Sequence, residues 1–409
     1  MTAETKALAA DATGPLKGVR ILDLTSVVFG AYATQLLADQ GAEVIKIEDP
    51  GGRRGGGGDI MRWPGHVPAG APSDLGPIFL TINRNKRSVV MDLKQSEALT
   101  ALKRLAAKSD VVATSIRYEG LKRLGLDYES LKAVNPQVVY VHDAGYGADG
   151  PYAGEPAYDD LIQAAAGFAD LLPRTDGNPQ PRILPSLIAD KVSGLFMAQA
   201  ITAALFHKQK TGEGQFVEVP MLECMTSFNL VEHFFDHIYE PPTGQWSYNR
   251  VTNPNRRPFK TKDGHIGLLP YTDKQWDQFF ETAGWGDTIA QDPRFADYPT
   301  RAHHIAELYA LVETVTVTRT TAEWLAILKP LNIPVQTANR LDDLESDPHL
   351  SAVGLIERYE HPELGVYKQP RPAVRFSKTP SNIRRHPPRL GEHTDEVLAE
   401  IGQAAPAAD

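Results

Sequence analysis

Cysteine is nearly absent from this sequence: Cys224 is the only one in 409 residues. That excludes an internal disulfide framework and any multi-cysteine metal site, and it predicts a protein of the reducing cytoplasm. Long apolar runs are missing too. The longest, Leu195 to Phe206, ends in HKQK and falls short of the ~20 residues a membrane span needs. Met1 to Pro15 has no cationic start followed by an apolar core, so no signal peptide is expected, and the first dozen or so residues are expected to be disordered. Positive charge is in deficit: 42 Lys and Arg against 51 Asp and Glu leave a net charge of −9. A nucleic-acid-binding surface is therefore disfavoured, although a local basic cleft is not. Motifs are missing as well. Without G-x-x-x-x-G-K-[ST] there is no P-loop, and without G-x-S-x-G there is no serine-hydrolase elbow.

What is present is an ordinary globular composition, 42% hydrophobic and 23% charged, in a pattern of alternating strands and helices. Val19 to Leu24 and Ala42 to Ile47 read as buried strands around a helix at Ala31 to Asp39, a βαβ unit. Ser88–Met91, Asp110–Ala113, Val138–Val141 and Phe216–Val219 read as further strands. Ser96–Ala107, Tyr118–Leu124, Tyr128–Asn135, Ala157–Gly167, Val192–Lys208 and Met221–Ile238 read as helices. This predicts an α/β fold with a large Rossmann-like domain and a mostly parallel sheet. After a Pro-, Asn- and Gly-rich stretch, Glu240 to Arg257, a small α/β unit is expected over Phe259 to Gln336, with a strand at Ile266–Leu269 and helices at Asp273–Ala283 and Ala322–Leu331. The tail from His349 is Pro-rich and reads as strand and loop.

The first βαβ unit places Glu48 where a ribose-binding acid would stand. Its loop TSVVFG lacks the glycines a pyrophosphate needs, so a nucleotide redox cofactor is not expected. The glycine run at 51–58 follows the second strand and reads as a mobile loop. His233 and His237, four apart on a helix, have zinc-binding spacing, but Phe234 and Phe235 between them favour two structural histidines; no metal site is expected. Asp190, in PSLIADKVSGLF, precedes a long apolar helix. It reads as a helix N-cap or as an acyl-accepting nucleophile, since helix-terminal N–H groups favour an ionised carboxylate and can stabilise oxyanions. Arg62, Arg84, Lys86, Arg87, Arg117 and Arg123 together form a candidate cleft for a polyanion such as the phosphates of coenzyme A.

At this point the sequence resembles the class III (CaiB/BaiF-type) CoA-transferase family over about Leu16 to Gly391. The carriers are PLKGVRILDLT at 15–25, GAEVIKIEDPGG at 41–52, NRNKRSVVMDLK at 83–94 and SDVVATSIRYEGLKRLGLDYESLKAVNPQVVYV at 109–141. GYGADGPYAGEPAYDDLIQAAAG at 145–167, IADKVSGLFMAQAITAALFHKQKTGEGQFVEVPMLE at 188–223 and PNRRPFKTKDGHI at 254–266 complete the set. Their order and spacing carry the likeness. The resemblance implies that Asp190 is the nucleophile. It puts coenzyme A contacts on Val27, Phe29, Arg62, Lys86, Ser115, Ile116, Arg123 and Leu124, and sets Tyr146 near the acyl group. It further implies an acyl-CoA donor, a carboxylic acid acceptor and an interlocked homodimer, with neither metal nor redox nucleotide, and with no nucleic-acid or membrane partner. The domains expected are 1–220 (large, CoA-binding), 221–255 (helix and linker), 256–338 (small α/β) and 339–409 (a return to the large domain). The two domains are expected to be joined by long linkers.

The chain departs from the family in places. Tyr158–Asp159 stands where racemases carry a His–acid pair, so the transferase branch is favoured over α-methylacyl-CoA racemase. NRVTNPNRRPF replaces the glycine-rich lid of formyl-CoA transferase, and Ser115 and Ala144 replace an asparagine and a lysine of other members. Phe29, Tyr146 and Trp246 suggest an acyl group bulkier than formyl. The alternatives are an acyl-CoA racemase or isomerase on the same fold, and a CoA-binding protein without catalysis.

Overall fold

The computed structural model describes residues 5–51, 56–289 and 291–402. The chain divides into two compact units, one of 1–167, 183–228 and 349–409, the other of 168–182 and 229–348. The first unit begins with β1 (Arg20–Leu24), α1 (Phe29–Asp39), β2 (Glu43–Glu48), α2 (Pro77–Ile82), β3 (Lys86–Val90), α3 (Ser96–Ala107) and β4 (Val111–Thr114). It continues with α4 (Tyr118–Leu124), α5 (Tyr128–Lys132), β5 (Val139–Ala144) and α6 (Asp159–Ala165). Helix α7 (Leu171–Asp176) belongs to the second unit, and α8 (Ile188–Thr211) and β6 (Gln215–Pro220) return to the first. Helix α9 (Met221–His233) spans the boundary between units at Phe228.

The six strands make one sheet in the order β3-β2-β1-β4-β5-β6, with every neighbouring pair parallel. Apolar runs such as RILDL and VVAT are buried along their length, as strands covered on both sides must be. The order reverses between β1 and β4. A doubly wound sheet opens a crevice at that place, beyond the carboxyl ends of its strands.

Alternation along the strands gives the sheet two different faces. Leu22, Leu24, Ile45, Ile47, Val89, Val112 and Tyr140 form one face, packed with Leu102 and Leu105 of α3, Leu121 of α4 and Leu131 of α5. Asp23, Lys46, Lys86 and Asp143 occupy alternate positions on the opposite face and are all buried. Helices α1 and α8 pack against each other, α1 on β1 and β2, α8 on β5 and β6. Gly194 lets these helices close up: a Cβ there would lie 2.9 Å from the carbonyl oxygen of Phe29.

Helix α8 begins four residues earlier than expected and runs for 24. By length and composition it is, among the described residues, the one helix that would suffice to cross a membrane. Its N-cap, Leu187, has no side-chain acceptor. The orphan N–H of Asp190 is instead taken by Asp159 Oδ2 of α6 at 3.1 Å. Asp190 therefore sits inside the first turn, capped from outside, and is not itself the N-cap.

In the second unit, β7 (Phe259–Lys260), β8 (His265–Leu268) and β9 (Val335–Thr337) form an antiparallel sheet. It packs with α10 (Asp273–Thr282), α11 (Gly286–Ile289), α12 (Tyr298–His303), α13 (Ile305–Thr316) and α14 (Thr321–Leu328) around a core that includes Trp276, Phe279, Leu308, Val312 and Trp324. Helices α10 and α14 start at capping boxes, Thr272–Gln275 and Thr320–Glu323.

The chain then forms α15 (Pro348–Ala352), a hairpin of β10 (Ile356–His361) and β11 (Gly365–Pro370), and α16 (Thr394–Glu400). Val397 and Leu398 of α16 join the apolar face of the large sheet. The N-terminal residues depart from expectation: from Thr5 onward they lie along this return segment. Thr5 bridges Arg358, the Lys6 N–H donates to the Arg358 carbonyl at 2.7 Å, and the Ala9 N–H donates to that of Ile383 at 2.9 Å. Backbone pairing outweighs a composition that favours disorder. Of the glycine run at 51–58, residues 52–55 lie outside the described residues.

Candidate active site

The loops leaving β1, β4 and β5 meet at the carboxyl edge of the sheet. The β1 loop is built on a strained residue: Val27, β-branched, has a φ of 68°, a conformation costing about 1–3 kcal/mol unless its surroundings enforce it. Asp59 enforces it. Its Oδ1 accepts from the N–H groups of Val27 at 3.1 Å and Met61 at 3.0 Å, and from the Ser26 hydroxyl at 3.3 Å. The Ser26 N–H donates to Ser115 Oγ at 3.1 Å, which stitches the β1 loop to the β4 loop. Val27, Phe29, Ser115 and Ile116 are thus brought to one edge. Arg123 and Leu124 lie at the end of α4, Arg123 exposed and Leu124 half-buried. Tyr146, half-buried, follows β5 with its ring 5.5 Å from that of Tyr152.

Most of the expected basic cleft is spent inside the protein. Arg62 is 0% exposed, bound through Nη2 to Glu48 Oε1 at 2.6 Å and through Nε to Oε2 at 2.8 Å, with Phe79 beneath the guanidinium at 3.7 Å. Lys86, also 0% exposed, binds Asp23 at 3.1 Å, Thr34 at 2.8 Å, Asn83 at 2.9 Å and the Ala31 carbonyl at 2.9 Å. Arg84 pairs with Asp39, and Arg87 with Glu43, Glu396 and Glu400. Arg62 and Lys86 therefore hold the sheet and its loops together. A cation this deeply buried persists because anions surround it. Arg117 and Arg123 are exposed.

Asp190 is 5% exposed. Burial, then the charges of Asp159 and Asp160, push its carboxyl up to about 7. The helix N-terminus favours the anion, but desolvation and like charges outweigh it. Among the described residues no hydrogen-bond donor or cation holds its carboxylate, whereas Asp159 is tied to Gln163 Nε2 at 2.6 Å and to the Asp190 amide. Apolar residues cap the two helices that meet here: Tyr158, 64% exposed, begins α6, and Leu187, 39% exposed, begins α8. Asp143, near the end of β5, was not anticipated. An acid ending the apolar run VVYVH just before Gly145 is the signal that marks it.

His233 Nδ1 lies 3.0 Å from Ser247 Oγ, and His237 stacks on Trp246 at 4.3 Å, in keeping with structural roles. Among the described residues no group of three or more His, Cys, Asp or Glu side chains is arranged to hold a metal ion.

A doubly wound parallel sheet with an uncompensated carboxyl in the first turn of α8 defines an α/β enzyme with a candidate carboxylate nucleophile. Residues 16–394 match the family model described as CoA-transferase family III, and the chain belongs to that family. It is a CoA-transferase, acting on an acyl-CoA donor and a carboxylic acid acceptor. It is 33% identical to a succinate–glutarate CoA-transferase of Agrobacterium fabrum, over 95% of this chain and 96% of that protein. It is 31% identical to a mouse succinyl-CoA:glutarate CoA-transferase, over 96% of this chain and 87% of the other. The crystal structure of a CaiB/BaiF family protein from Brucella suis superimposes with a TM-score of 0.79 at 30% identity, covering 95% of this chain and 100% of that one.

Proposed function

We propose that the protein moves coenzyme A between carboxylic acids through covalent intermediates on Asp190. The ionised carboxylate attacks the thioester carbonyl of the donor, forming a mixed anhydride and expelling CoA thiolate. The thiolate attacks the aspartyl carbonyl, giving an aspartyl-CoA thioester and freeing the donor acid as its carboxylate. The acceptor carboxylate attacks that thioester, giving a second mixed anhydride and thiolate again. The thiolate takes the acceptor acyl carbon, and Asp190 leaves as a carboxylate. Each step exchanges one acyl bond for another, so no external energy source is consumed. The burial around Asp190 protects the anhydrides from water.

The observation that carries this reading is the state of Asp190. It is a buried acid in the first turn of α8, 5% exposed, with no cation or donor on its carboxylate. Asp23, Asp59 and Glu48 each face a lysine or arginine. A carboxylate whose pKa stands near the working pH is both ionised and nucleophilic. The names of the relatives favour short dicarboxylic acids such as succinate and glutarate as the exchanged pair. Coenzyme A is expected at the β1 and β4 loops, against Val27, Phe29, Ser115, Ile116, Arg123 and Leu124, with the acyl group toward Tyr146. We also propose that two copies interlock: Leu195 and Phe206 leave an apolar stripe of α8 53% and 57% exposed, more than a lone soluble chain favours on one helix.

The test is a panel of acyl-CoA donors against carboxylic acids, followed by mass spectrometry, with the acyl-enzyme intercepted on the peptide containing Asp190. Asp190→Ala is expected to lower turnover at least about a thousandfold. Normal turnover in that variant would overturn the mechanism.

A further inference from the structure

Asp143, whose carboxyl feels the charge of Asp190, is a second acid that this mechanism leaves idle. Asp143 is 6% exposed, and neither oxygen of its carboxyl has a hydrogen-bond partner among the described residues. Buried polar atoms without partners are rare enough to require a reason. Here the surroundings are unusually close. Gly30 of α1 approaches so tightly that a Cβ on it would collide with Asp143 Oδ2 and with the side chain of Thr25. A glycine at the second position of α1 thus leaves just the room the carboxyl fills. Ser193, one helical turn beyond Asp190 on α8, is 0% exposed, and its Oγ is likewise without a partner.

The charged groups that act on Asp143 come from each element packed around it. They are Asp23 of β1, Asp190 of α8 and, with opposite sign, Lys46 of β2. The neighbouring strand β6 sets Val219 opposite it, and the Gly30 amide on α1 approaches its carboxyl and favours the anion without meeting the geometry of a hydrogen bond. Lys46 is already committed to Asp59 at 2.9 Å and to the Thr25 carbonyl at 2.8 Å, and Lys86 to Asp23. No cation touches Asp143, and two anions face it. A carboxyl so placed keeps its proton, because a buried charge without a partner costs far more than a neutral acid.

We propose that Asp143 is a positioning residue for Asp190: an uncharged acid among β5, α1 and α8, it adds no negative charge to those of Asp159 and Asp160 that already act on the nucleophile. The inference rests on Asp190 being the nucleophile. It adds that the site has an upper pH limit as well as a lower one. Once Asp143 loses its proton, a further anion acts on Asp190 and the incoming acceptor carboxylate, and transfer slows. Burial first, then Asp23 and Asp190, raise the Asp143 carboxyl well above the ordinary carboxylate range, so that limit lies well above the pH at which an ordinary carboxyl ionises.

The test compares the full-length protein with Asp143→Asn, Asp190→Asn and the two combined. Infrared spectra in heavy water with isotope-labelled aspartate read the protonation of Asp143 without reference to activity. A protonated-carboxyl band at neutral pH is expected in Asp190→Asn, where the Asp190 carboxyl no longer contributes, and is expected to vanish when Asp143→Asn is combined with it. The pH profile of kcat is expected to fall at its upper limit in the parent, approaching tenfold per pH unit, and to lose that fall in Asp143→Asn. Absence of the band from Asp190→Asn overturns the inference even if the Asp143 variants fail to fold, and so does a fall at that limit that survives Asp143→Asn. Transfer by Asp190→Asn at the parent's rate would instead overturn the nucleophile, while the band still reports on Asp143.

Discussion

The two faces of the large sheet are buried alike but built from opposite materials. Under α3, α4, α5 and α16 the sheet presents leucine, isoleucine and valine, with the ring of Tyr140, whose hydroxyl donates to the Leu126 carbonyl at 2.9 Å. Under α1 it presents Asp23, Lys46 and Lys86, all 0% exposed. The first face is held by area removed from water, which any well-packed apolar set supplies. The second is held by reciprocal charge, which tolerates no vacancy. The difference follows function. The charged face lies beneath the loops that build the site, and its lysines reach them directly: Lys46 Nζ donates to the Thr25 carbonyl at 2.8 Å and pairs with Asp59, the acid that fixes Val27.

The sharpest way to break this contrast is to remove one charge. Burial raises the Asp23 pKa, but Lys86, Lys46 and the hydroxyls of Thr25 and Thr34 outweigh it and hold the pKa at about 2. Asp23→Ala leaves Lys86 buried without its anion and is expected to cost about 3–5 kcal/mol of stability, measured by urea unfolding. Adding Lys86→Met is expected to recover most of that loss, because an apolar pair of similar volume does not need the charge. If the double variant were no more stable than the single one, reciprocal charge would not be what holds this face.

On the other face, Leu102→Ala is expected to cost about 2–5 kcal/mol through lost burial and a residual cavity. The two losses differ in their pH dependence. The folded pKa of Asp23 lies below its ordinary value of 3.8, so its contribution is complete above that value and fades as pH falls toward about 2. The deficit of Asp23→Ala should therefore shrink over that window, while that of Leu102→Ala stays constant. Equal behaviour would erase the distinction between the faces.

The apolar face was legible in the sequence and the charged face was not. Runs such as VRILDL and AEVIKI announce buried parallel strands, because both faces of such strands are covered. The single charges inside them, Asp23 and Lys46, carry no local sign of their partners. Asp23 meets Lys86 through the strand order 3-2-1, although the two stand 63 positions apart in the sequence. For the same reason Arg62 and Lys86 read in the sequence as part of a basic cleft and turn out to be interior. Asp190 was legible as a helix-start acid after an apolar run, but its neighbour Asp159 arrives from α6 by tertiary packing, and with it the charge that raises the pKa. Helix α13 had a plain signal, with Leu308, Val312, Val315 and Thr316 buried on one side, yet the helices expected in the small unit do not include it.

The finest test lies at the edge of the charged face, where α6 meets α8. The Asp190 carboxyl is raised to about 7, chiefly by burial and then by Asp159 and Asp160. A raised acid is protonated below its pKa, and a protonated carboxyl is no nucleophile. The kcat/KM for acyl-CoA is therefore expected to climb about tenfold per pH unit up to about 7 and then to level off until the upper limit. Asp159→Asn keeps an amide oxygen to accept the Asp190 N–H but deletes the largest like charge. The acid limb is expected to move toward lower pH, without reaching the ordinary value of 3.8, because burial remains. The gain should be seen below neutral pH and be nearly absent on the plateau. A limb that does not move would mean that desolvation alone sets the nucleophile's ionisation, and that the acids of α6 serve the helix rather than the chemistry.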